Sequence, residues 1–435
     1  MTRRCEMRLR GALPDWPRAL LLCAAALLYL AGGRALADCD AYASYDRPSI
    51  AAPGNLPVGR RSLTIEGPAA APRDGDAPAV RRLELLVWYP AAVDGCTRAA
   101  PYRQTLARHA WRPLPAERVT FDVPAAAAAN APVADGARYP LVVMSHGLLG
   151  WASALTYLGE HLASRGYVVA AIDHRDDLPT GLDPLKGATA FRQLDQSAAV
   201  AALQGWTADP QSFLHDRIDT ERIAIVGYSM GGYGAVRSAV AAGSATGRGL
   251  RAIVAIAPFG GQSFVGAFDR ANLATASTPM LFIVGDHDDV SGFADGVDSL
   301  FQSVTGAERW MLVYENARHN VGGYPLADFA REDIALQSFF IDPVWRVERI
   351  QAVNRHFITA FLDLTLKDDA SRRPYLEPPT QRSNDGHWPA KGGLDLSDPV
   401  ADAATAPGFW PGFRRRSALG LDLRHLGPGQ PGLKP

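Results

Sequence analysis

A serine between two glycines marks the point where a predicted strand gives way to a predicted helix. The stretch RIAIVGYSMGGYGAV covers residues 222–236. Its first residues are typical of a short buried strand, and the small and apolar residues from Gly231 onward suit a helix. Between them, Gly227-Tyr228-Ser229-Met230-Gly231 has the pattern G-x-S-x-G, in which small residues on either side allow a sharp turn and the serine hydroxyl projects above the edge of a sheet. The alternative is a glycine-rich turn whose serine only caps the helix.

Strand and helix patterns alternate along most of the chain. This alternation predicts an α/β fold with a mostly parallel central sheet covered by helices on both faces. Predicted strands lie within residues 81–90, 139–150, 251–260, 279–289 and 309–320, and residues 155–174 predict a helix followed by a strand. Further helices are predicted at residues 191–206 and from about 328 to 367.

The composition changes near the carboxyl end of the chain. Residues 38–367 are predicted to form the catalytic domain, and residues 368–435 form a proline- and glycine-rich extension. This extension contains Trp388, Phe409, Trp410 and Phe413. Such aromatic residues favour packing on the domain over a disordered end.

Residues 1–37 have the features of a secretory signal peptide. Four arginines between residues 3 and 10 precede an apolar run at residues 19–33, and Ala35-Leu36-Ala37 gives an A-x-A cleavage pattern. The sequence therefore predicts cleavage after Ala37 and export to the periplasm or the medium. An uncleaved membrane anchor is the alternative, but the apolar run is short for a spanning helix.

Cysteine usage agrees with export. Cys5 and Cys23 lie in the predicted signal peptide, so Cys39 and Cys96 remain in the mature chain. Two cysteines in an exported protein predict one disulfide between the new amino terminus and the region after an early strand. A free, buried pair is the alternative.

A serine hydroxyl becomes a nucleophile when a base takes its proton and an acid orients the base. A turn of this type, with the serine between a strand and a helix, is called a nucleophile elbow. In proteins that contain one, the chain order is Ser, then Asp or Glu, then His, each after a strand. Asp288 is the predicted acid because Gly285-Asp286-His287-Asp288 closes a predicted strand and places this carboxylate over the sheet edge. Asp286 and Asp289 remain competitors, and any of the three can be a structural turn residue.

His319 is the predicted base. Among the ten histidines it is the one that follows the last predicted strand in the expected loop. His287 is closer to the acid in sequence but lies on the same turn as the acid. His356 lies within a predicted helix, where a surface or core role is expected.

Ester or amide cleavage also needs backbone donors for the oxyanion of the tetrahedral intermediate. One predicted donor is the N–H of Met230, the residue after the nucleophile, and the other is the N–H of Leu148 in the loop SHGLLG at residues 145–150. His146 in this loop is expected to brace the turn. Taken alone, the loop could be an ordinary strand-to-helix turn.

Charge and motif content exclude several classes of partner. The net charge is -1 and the isoelectric point is near 6.8, which gives no electrostatic reason to expect a nucleic acid as partner. The sequence contains neither a metal-ligand spacing nor the glycine pattern of a dinucleotide site. No cofactor and no metal are expected.

The chain resembles a known family in several segments: LPVGRRSLTI, LELLVWYPA, YPLVVMSHGLLGWASALTYLGEHLASRGYVVAAIDH, IAIVGYSMGGYGAV, PMLFIVGDHDDV and FWPGFRRRSALGL. These resemble bacterial α/β-hydrolases related to dienelactone hydrolase and to the plasma-type (type II) platelet-activating factor acetylhydrolase. The resemblance implies an α/β-hydrolase fold, a triad of Ser229, Asp288 and His319, and an oxyanion hole from the N–H groups of Leu148 and Met230. It also implies metal-independent hydrolysis of esters with short or oxidised acyl chains.

Two departures limit what the resemblance implies. Dienelactone hydrolase uses a cysteine nucleophile where this chain has Ser229, so that substrate is not implied. The acetylhydrolases usually carry histidine before the nucleophile, where this chain has Tyr228. This difference is expected to alter the floor of the substrate pocket and not the chemistry.

Aromatic residues near the predicted site suggest an apolar substrate pocket. Only about twenty residues separate Pro258 from Pro279, which is too short for a large lid domain. Trp151 and Phe259 are predicted to line an open acyl site, together with Phe264 and Phe268, and plain core packing is the equal alternative for these residues.

Several functions are compatible with these features. The leading interpretation is an exported serine ester hydrolase for a small-molecule or lipid ester, and a peptidase or amidase could use the same triad. A non-catalytic binding protein on a hydrolase fold is the other alternative. The basic and aromatic residues 409–416 suggest a peripheral lipid contact. Acyl length and oligomeric state remain open.

Overall fold

The structure, a computed structural model, describes residues 46–69, 80–93, 99–107, 118–176, 184–241, 248–260, 268–387, 409–413 and 417–430. The predicted signal peptide, the predicted Cys39–Cys96 disulfide, Phe264 and Trp388 lie outside these ranges. None of the helices in the described ranges combines the length and apolar character needed to cross a membrane.

The described residues form twelve strands. In chain order they are β1 (Val58–Gly67), β2 (Arg81–Pro90), β3 (Tyr102–Ala107), β4 (Arg118–Val123), β5 (Ala128–Ala129), β6 (Tyr139–Ser145), β7 (Val168–Asp173), β8 (Ile218–Tyr228), β9 (Leu250–Ile256), β10 (Met280–Gly285), β11 (Arg309–Tyr314) and β12 (Leu421–Leu426). Ten of them form one sheet in the order β12-β11-β10-β9-β8-β6-β7-β2-β1-β5, and β3 and β4 form a separate antiparallel pair.

The middle of the large sheet is parallel. Strands β7, β6, β8, β9, β10 and β11 run in the same direction, whereas β2 is antiparallel to β7 and β12 is antiparallel to β11. Parallel strands place their carboxyl ends at one edge of a sheet, and loops after those ends can converge there. The predicted α/β fold with a mostly parallel central sheet is therefore confirmed.

Eight α-helices accompany the strands in the described ranges. They are α1 (Thr156–Ser164), α2 (Pro184–Ala208), α3 (Met230–Ala241), α4 (Arg270–Thr275), α5 (Ser299–Ser303), α6 (Ile334–Gln337), α7 (Val347–Leu366) and α8 (Arg373–Leu376).

Helices cover both faces of the sheet, which explains why its central strands are apolar throughout. Every residue of β6 is buried. Because side chains alternate along a strand, Leu141 and Val143 face the core that contains α2 and α3, whereas Val142 and Met144 face the core that contains α1 and α7. A strand between two helical layers carries apolar residues at odd and even positions alike.

The carboxyl-terminal segment contributes to the same sheet. Strand β12 pairs with β11 from Arg309–Leu426 to Tyr314–Leu421. Phe409, Trp410 and Phe413 are buried, and the rings of Trp410 and Phe413 contact Phe357 of α7.

The predicted helix from about residue 328 to residue 367 is wrong in its first half. Within residues 328–367 only α7 is a long helix, and it begins at Val347. Before it the chain forms two short turns of helix and reaches Asp342 and Pro343, where proline lacks the N–H that a helix interior requires. The segment of residues 320–346 instead folds over the carboxyl edge of the sheet.

Candidate active site

Ser229 occupies the tip of a tight turn between β8 and α3. Its φ angle is +53°, a left-handed conformation that is unfavourable for a residue with a side chain. Its N–H donates to Ile256 O at 2.8 Å, and its carbonyl accepts from the N–H of Tyr233 at 2.9 Å. A Cβ at Gly227 would lie 2.1 Å from Gly231 O, and one at Gly231 would lie 2.0 Å from a backbone oxygen of the neighbouring loop. The glycines of the pentapeptide are therefore required by the close approach of the backbone.

The structure brings together the three side chains selected from the sequence. His319 Nε2 lies 3.1 Å from Ser229 Oγ, and His319 Nδ1 lies 2.9 Å and 3.0 Å from the two carboxylate oxygens of Asp288. Each follows the carboxyl end of a parallel strand: β8, β10 and β11. This order of hydroxyl, imidazole and carboxylate is the arrangement that can remove a proton from the serine.

The neighbouring aspartates have other partners. Asp286 accepts from the N–H of Asn316 at 2.6 Å and lies 2.6 Å from His287 Nδ1. Asp289 forms an ion pair with Arg318. Of the three candidates, Asp288 is thus the one in contact with His319.

The surroundings of Asp288 keep its carboxylate ionised. Burial acts to raise the pKa of Asp288, but the hydrogen bond from His319 and the N–H groups of Val290 and Ser291 outweigh burial and lower the pKa below its ordinary value. These two N–H groups donate to Asp288 Oδ1 at 2.9 Å and 2.8 Å. A carboxylate that accepts several hydrogen bonds favours its charged form.

The loop that carries His319 is held on both sides. The hydroxyl of Tyr228 donates to the carbonyl of His319 at 3.2 Å, and the N–H of Arg318 donates to Asp342 at 2.7 Å. The amide of Asn320 donates to the carbonyls of Ser338 and Ile341. The segment of residues 320–346 therefore fixes the position of the imidazole.

The two expected oxyanion donors, the N–H groups of Leu148 and Met230, belong to backbone segments near Ser229. Met230 is the first residue of α3, and N–H groups of a first turn have no acceptor within their helix. Leu148 lies in the loop after β6, and a Cβ on the adjacent Gly147 would lie 3.2 Å from Ser229 Cβ. Met230 directly follows Ser229 in the chain, and Leu148 lines the same cavity as Ser229.

An apolar cavity of about 670 Å³ opens above Ser229 and His319. Trp151 and Tyr228, both selected from the sequence, belong to its lining. Its remaining apolar wall comes mainly from residues that sequence reasoning missed, namely Tyr324, Ile334, Leu336, Phe339 and Phe340. A signal for them was present, because Pro325, Pro343 and irregularly spaced apolar residues argue against a continuous helix there.

Phe259 and Phe268 lie elsewhere. The Tyr233 ring packs against both, with ring centroids 6.1 Å and 5.1 Å apart respectively. The N–H of Phe259 donates to the carbonyl of Ser229 at 3.2 Å. Phe259 thus supports the serine turn and is not among the residues that line the cavity above it.

The mouth of this cavity is rich in exposed apolar side chains. Ile334 is 86% exposed, Val290 54% and Phe339 51%. All three line the cavity. Exposed apolar side chains around a cleft are typical of a surface that contacts an apolar partner.

Among the described residues, one group of acidic and histidine side chains is close enough to hold a metal ion. It consists of Glu308, Glu377 and His425. Arg373 Nη1 donates to both carboxylates, at 2.9 Å and 2.7 Å, and supplies the positive charge that a cation would provide. Its members belong neither to the cavity lining nor to the set around Ser229.

Fold and site together define an α/β-hydrolase: a mostly parallel sheet carries a serine elbow, with an aspartate and a histidine on later loops of the same edge. The chain belongs to the PET hydrolase-like family, whose family model matches residues 126–367, more than half of the 435 residues. The resemblance to α/β-hydrolases found in the sequence is confirmed.

Three relatives illustrate the similarity. Cutinase est1 of Thermobifida alba is 29% identical over 182 residues, which are 42% of this chain and 53% of the relative. A bis(hydroxyethyl) terephthalate hydrolase of Streptomyces coelicolor is 29% identical over 209 residues, 48% of this chain and 59% of the relative. The platelet-activating factor acetylhydrolase of Canis lupus familiaris is 37% identical over 78 residues, 18% of this chain and 16% of the relative. The chain thus spans little more than half the length of the two bacterial relatives.

Proposed function

We propose that this protein is a serine carboxylic ester hydrolase that acts through an acyl-enzyme. The observation that carries this proposal is the contact of Ser229 Oγ with His319 Nε2, and of His319 Nδ1 with Asp288, beside an apolar cavity. A serine activated in this way attacks acyl carbons, and an apolar cavity beside it accommodates an acyl group.

The first half of the reaction forms the acyl-enzyme. His319 Nε2 takes the proton of Ser229 as Oγ bonds to the ester carbonyl carbon. The carbonyl oxygen becomes an oxyanion, to which the N–H groups of Leu148 and Met230 donate. Collapse of this intermediate breaks the bond to the alcohol, and the alcohol leaves with the proton from His319.

Water completes the reaction. His319 takes a proton from water as the water oxygen attacks the acyl carbon, and a second oxyanion forms at the same donors. Its collapse releases the acid and returns the proton to Ser229. Asp288 keeps the imidazole oriented and stabilises its charged form in both halves.

The walls and rim of the cavity favour apolar substrates. Aromatic rings from Trp151, Tyr324 and Phe340 form the wall, and the exposed rim suits an insoluble ester surface. Relatives that are named cutinases and a bis(hydroxyethyl) terephthalate hydrolase support polyester fragments as substrates, besides short acyl esters. Because insoluble polyesters lie outside the cell, the proposal includes export through the predicted signal peptide of residues 1–37.

The test is hydrolysis of p-nitrophenyl acetate, butyrate and octanoate and of bis(hydroxyethyl) terephthalate, with the corresponding anilides for comparison. We expect activity on the esters, with far slower cleavage of the anilides, and its loss in Ser229→Ala. Ser238→Ala is the matched control, since Ser238 is a buried serine of α3, the helix that follows Ser229, and its Oγ lies 3.0 Å from Gln196 Oε1. Equal rates on anilides and esters would favour an amidase, and unchanged activity in Ser229→Ala would refute the mechanism.

A further inference from the structure

The carbonyl of Gly147 accepts hydrogen bonds from three donors. Its oxygen lies 2.6 Å from His146 Nδ1, 3.0 Å from the backbone nitrogen of Gly150 and 3.2 Å from Arg192 Nη2. His146 Nε2 accepts from the N–H of His174 at 3.1 Å, which places the imidazole proton on Nδ1. One backbone carbonyl therefore receives two neutral donors and a buried guanidinium.

These donors determine where the next N–H points. In a trans peptide the C=O and the N–H of the same plane point in opposite directions, and the described chain contains no cis peptide. Because the carbonyl of Gly147 is directed at Arg192, the N–H of Leu148 is directed away from Arg192. Leu148 lines the cavity that contains Ser229. Donors on a carbonyl also polarise its peptide, which strengthens the N–H as a donor.

Asp176 couples Arg192 to the other side of the same loop. It accepts two hydrogen bonds from Arg192, at 2.8 Å and 2.6 Å, and one from the N–H of Leu149 at 2.8 Å. The side chain of Arg192 is 1% exposed and that of Asp176 is 6% exposed. Leu149 has a φ angle of +56°, which a leucine adopts only when its surroundings hold it there. The pair thus fixes the peptides on both sides of Leu148.

We propose that Arg192 and Asp176 are positioning residues for the oxyanion site. Arg192 acts through the Gly147–Leu148 peptide, and Asp176 acts by holding Arg192 and Leu149; neither has to contact the substrate. This inference rests on the proposed function, since it takes the N–H of Leu148 as an oxyanion donor.

The test is Arg192→Gln, assayed on p-nitrophenyl butyrate. Loss of Arg192 would displace an oxyanion donor without removing it. The kcat is therefore expected to fall roughly 10- to 100-fold with KM nearly unchanged, a smaller loss than the roughly 10²- to 10³-fold that removal of one oxyanion donor causes. A trifluoromethyl ketone with the same acyl chain adds to the serine and forms an oxyanion. The affinity of Arg192→Gln for this ketone should fall by a similar factor. Inhibition by butyrate, which does not add to the serine, should not change. Arg192→Lys should recover part of kcat, since lysine keeps the charge but not the two-pronged geometry.

Arg309→Gln is the matched control. Arg309 is another buried arginine that donates to backbone carbonyls, among them that of Phe301 at 2.7 Å, and it lies outside the cavity lining. Its loss should lower stability but leave kcat of the folded protein unchanged. Asp176→Asn keeps an acceptor for Leu149 and gives a milder variant if Arg192→Gln does not fold. Its kcat and ketone affinity should fall together, several-fold.

The inference is overturned if the activity of the variants falls only in proportion to their folded fraction, or if ketone affinity stays at the parent value while kcat falls. Failure of the proposed function would look different. In that case the parent protein would not hydrolyse the ester, or Ser229→Ala would remain active.

Discussion

Asp288 is distinguished from its two neighbours by contact and not by sequence. All three aspartates follow the same strand, but only the carboxylate of Asp288 is within hydrogen-bonding distance of the imidazole of His319. Asp286 accepts a hydrogen bond from the N–H of Asn316, and Asp289 forms an ion pair with Arg318. This difference gives a direct test of the assignment at the scale of single residues.

Asp288→Asn is expected to lower kcat by roughly 10³- to 10⁴-fold on a short-chain ester. An asparagine cannot stabilise the imidazolium and favours the wrong tautomer of the histidine. The measurement is steady-state kinetics on p-nitrophenyl butyrate.

Asp286→Asn and Asp289→Asn are the controls for this prediction. Each should change kcat less than about 10-fold, because neither carboxylate contacts the imidazole. A large loss in either control, with Asp288→Asn nearly unaffected, would contradict the assignment.

The sequence predicted the contacts at Ser229 better than those around its oxyanion loop. A G-x-S-x-G turn fixes its own geometry locally, so five consecutive residues suffice to recognise it. Arg192 reaches Gly147 across 45 residues of chain. Its role depends on how α2 packs beside β6, and no local pattern in the sequence encodes that packing.

At the scale of elements, the serine elbow depends on the absence of side chains at its glycines. We expect Gly231→Ala to lower the free energy of unfolding by about 3 kcal/mol or to prevent folding, because the added methyl group would meet the Ser145 backbone at 2.0 Å. Urea unfolding measures the effect.

Gly205→Ala, within helix α2, is the matched control for the elbow. A Cβ at Gly205 meets nothing within 4 Å. Alanine also restricts the unfolded chain and favours the helix, so stability should rise by about 0.5–1 kcal/mol. A stable Gly231→Ala protein with full activity would contradict the packing described for the turn.

The segment of residues 320–346 gives a second prediction at this scale. Ile334→Asp should leave kcat/KM on soluble p-nitrophenyl butyrate within about threefold of the parent, because Ile334 is 86% exposed and no contact of the triad involves it. Hydrolysis of a polyester film should fall at least 10-fold, because a charge on the rim opposes contact with an apolar surface.

Leu194→Asp is the control for the rim. Leu194 is an exposed leucine of α2 outside the cavity lining. This substitution should leave the hydrolysis of both the polyester film and p-nitrophenyl butyrate close to the parent rates. Equal film activity of Ile334→Asp and the parent would exclude the rim as the contact surface.

Elements with regular periodicity were predicted well, and the segment over the site was not. Buried strands such as β10 and β11 consist of continuous apolar runs. Residues 320–346 are held by side-chain bonds from Asn320 and Asp342 to distant backbone groups. Their shape follows from tertiary contacts that periodicity does not reveal.

At the scale of the whole molecule, buried histidines link stability to pH. His356 of α7 is fully buried among Phe357, Tyr375 and Phe413, and its ring nitrogens have no hydrogen-bond partner among the described residues. Burial, with the charges of Arg165 and Arg372, lowers the pKa of His356 to about 3. Burial and Arg192 likewise lower the pKa of His174 to about 4.

The sign of the effect follows from proton uptake. Below about pH 6.5 the unfolded chain binds protons at these histidines that the folded protein excludes. These histidines should therefore lower the free energy of unfolding as the pH falls from 7 towards 4. Their contribution should level off below about pH 3. His356→Phe should reduce the loss between pH 7 and pH 4 by about 3 kcal/mol, because the pKa of this histidine is about 6.5 in the unfolded chain and about 3 in the folded protein.

Urea unfolding at the two pH values measures this difference, in which any constant packing cost of the phenylalanine cancels. Phe413→Leu is the control, because the Phe413 ring packs against His356 and its replacement by leucine removes no titratable group. It should keep the pH dependence of the parent. An unchanged pH dependence in His356→Phe would contradict the burial of a neutral His356.

Ser229 is the proposed nucleophile of an ester hydrolase, and covalent labelling identifies the nucleophile directly. Diethyl p-nitrophenyl phosphate forms a stable adduct with an activated serine, and peptide mass spectrometry locates that adduct. We expect one adduct per chain, on the peptide that contains Ser229, with loss of esterase activity in step with labelling and no adduct in Ser229→Ala. An esterase that stays unlabelled at Ser229, or that is labelled and inactivated at another residue, would contradict this assignment.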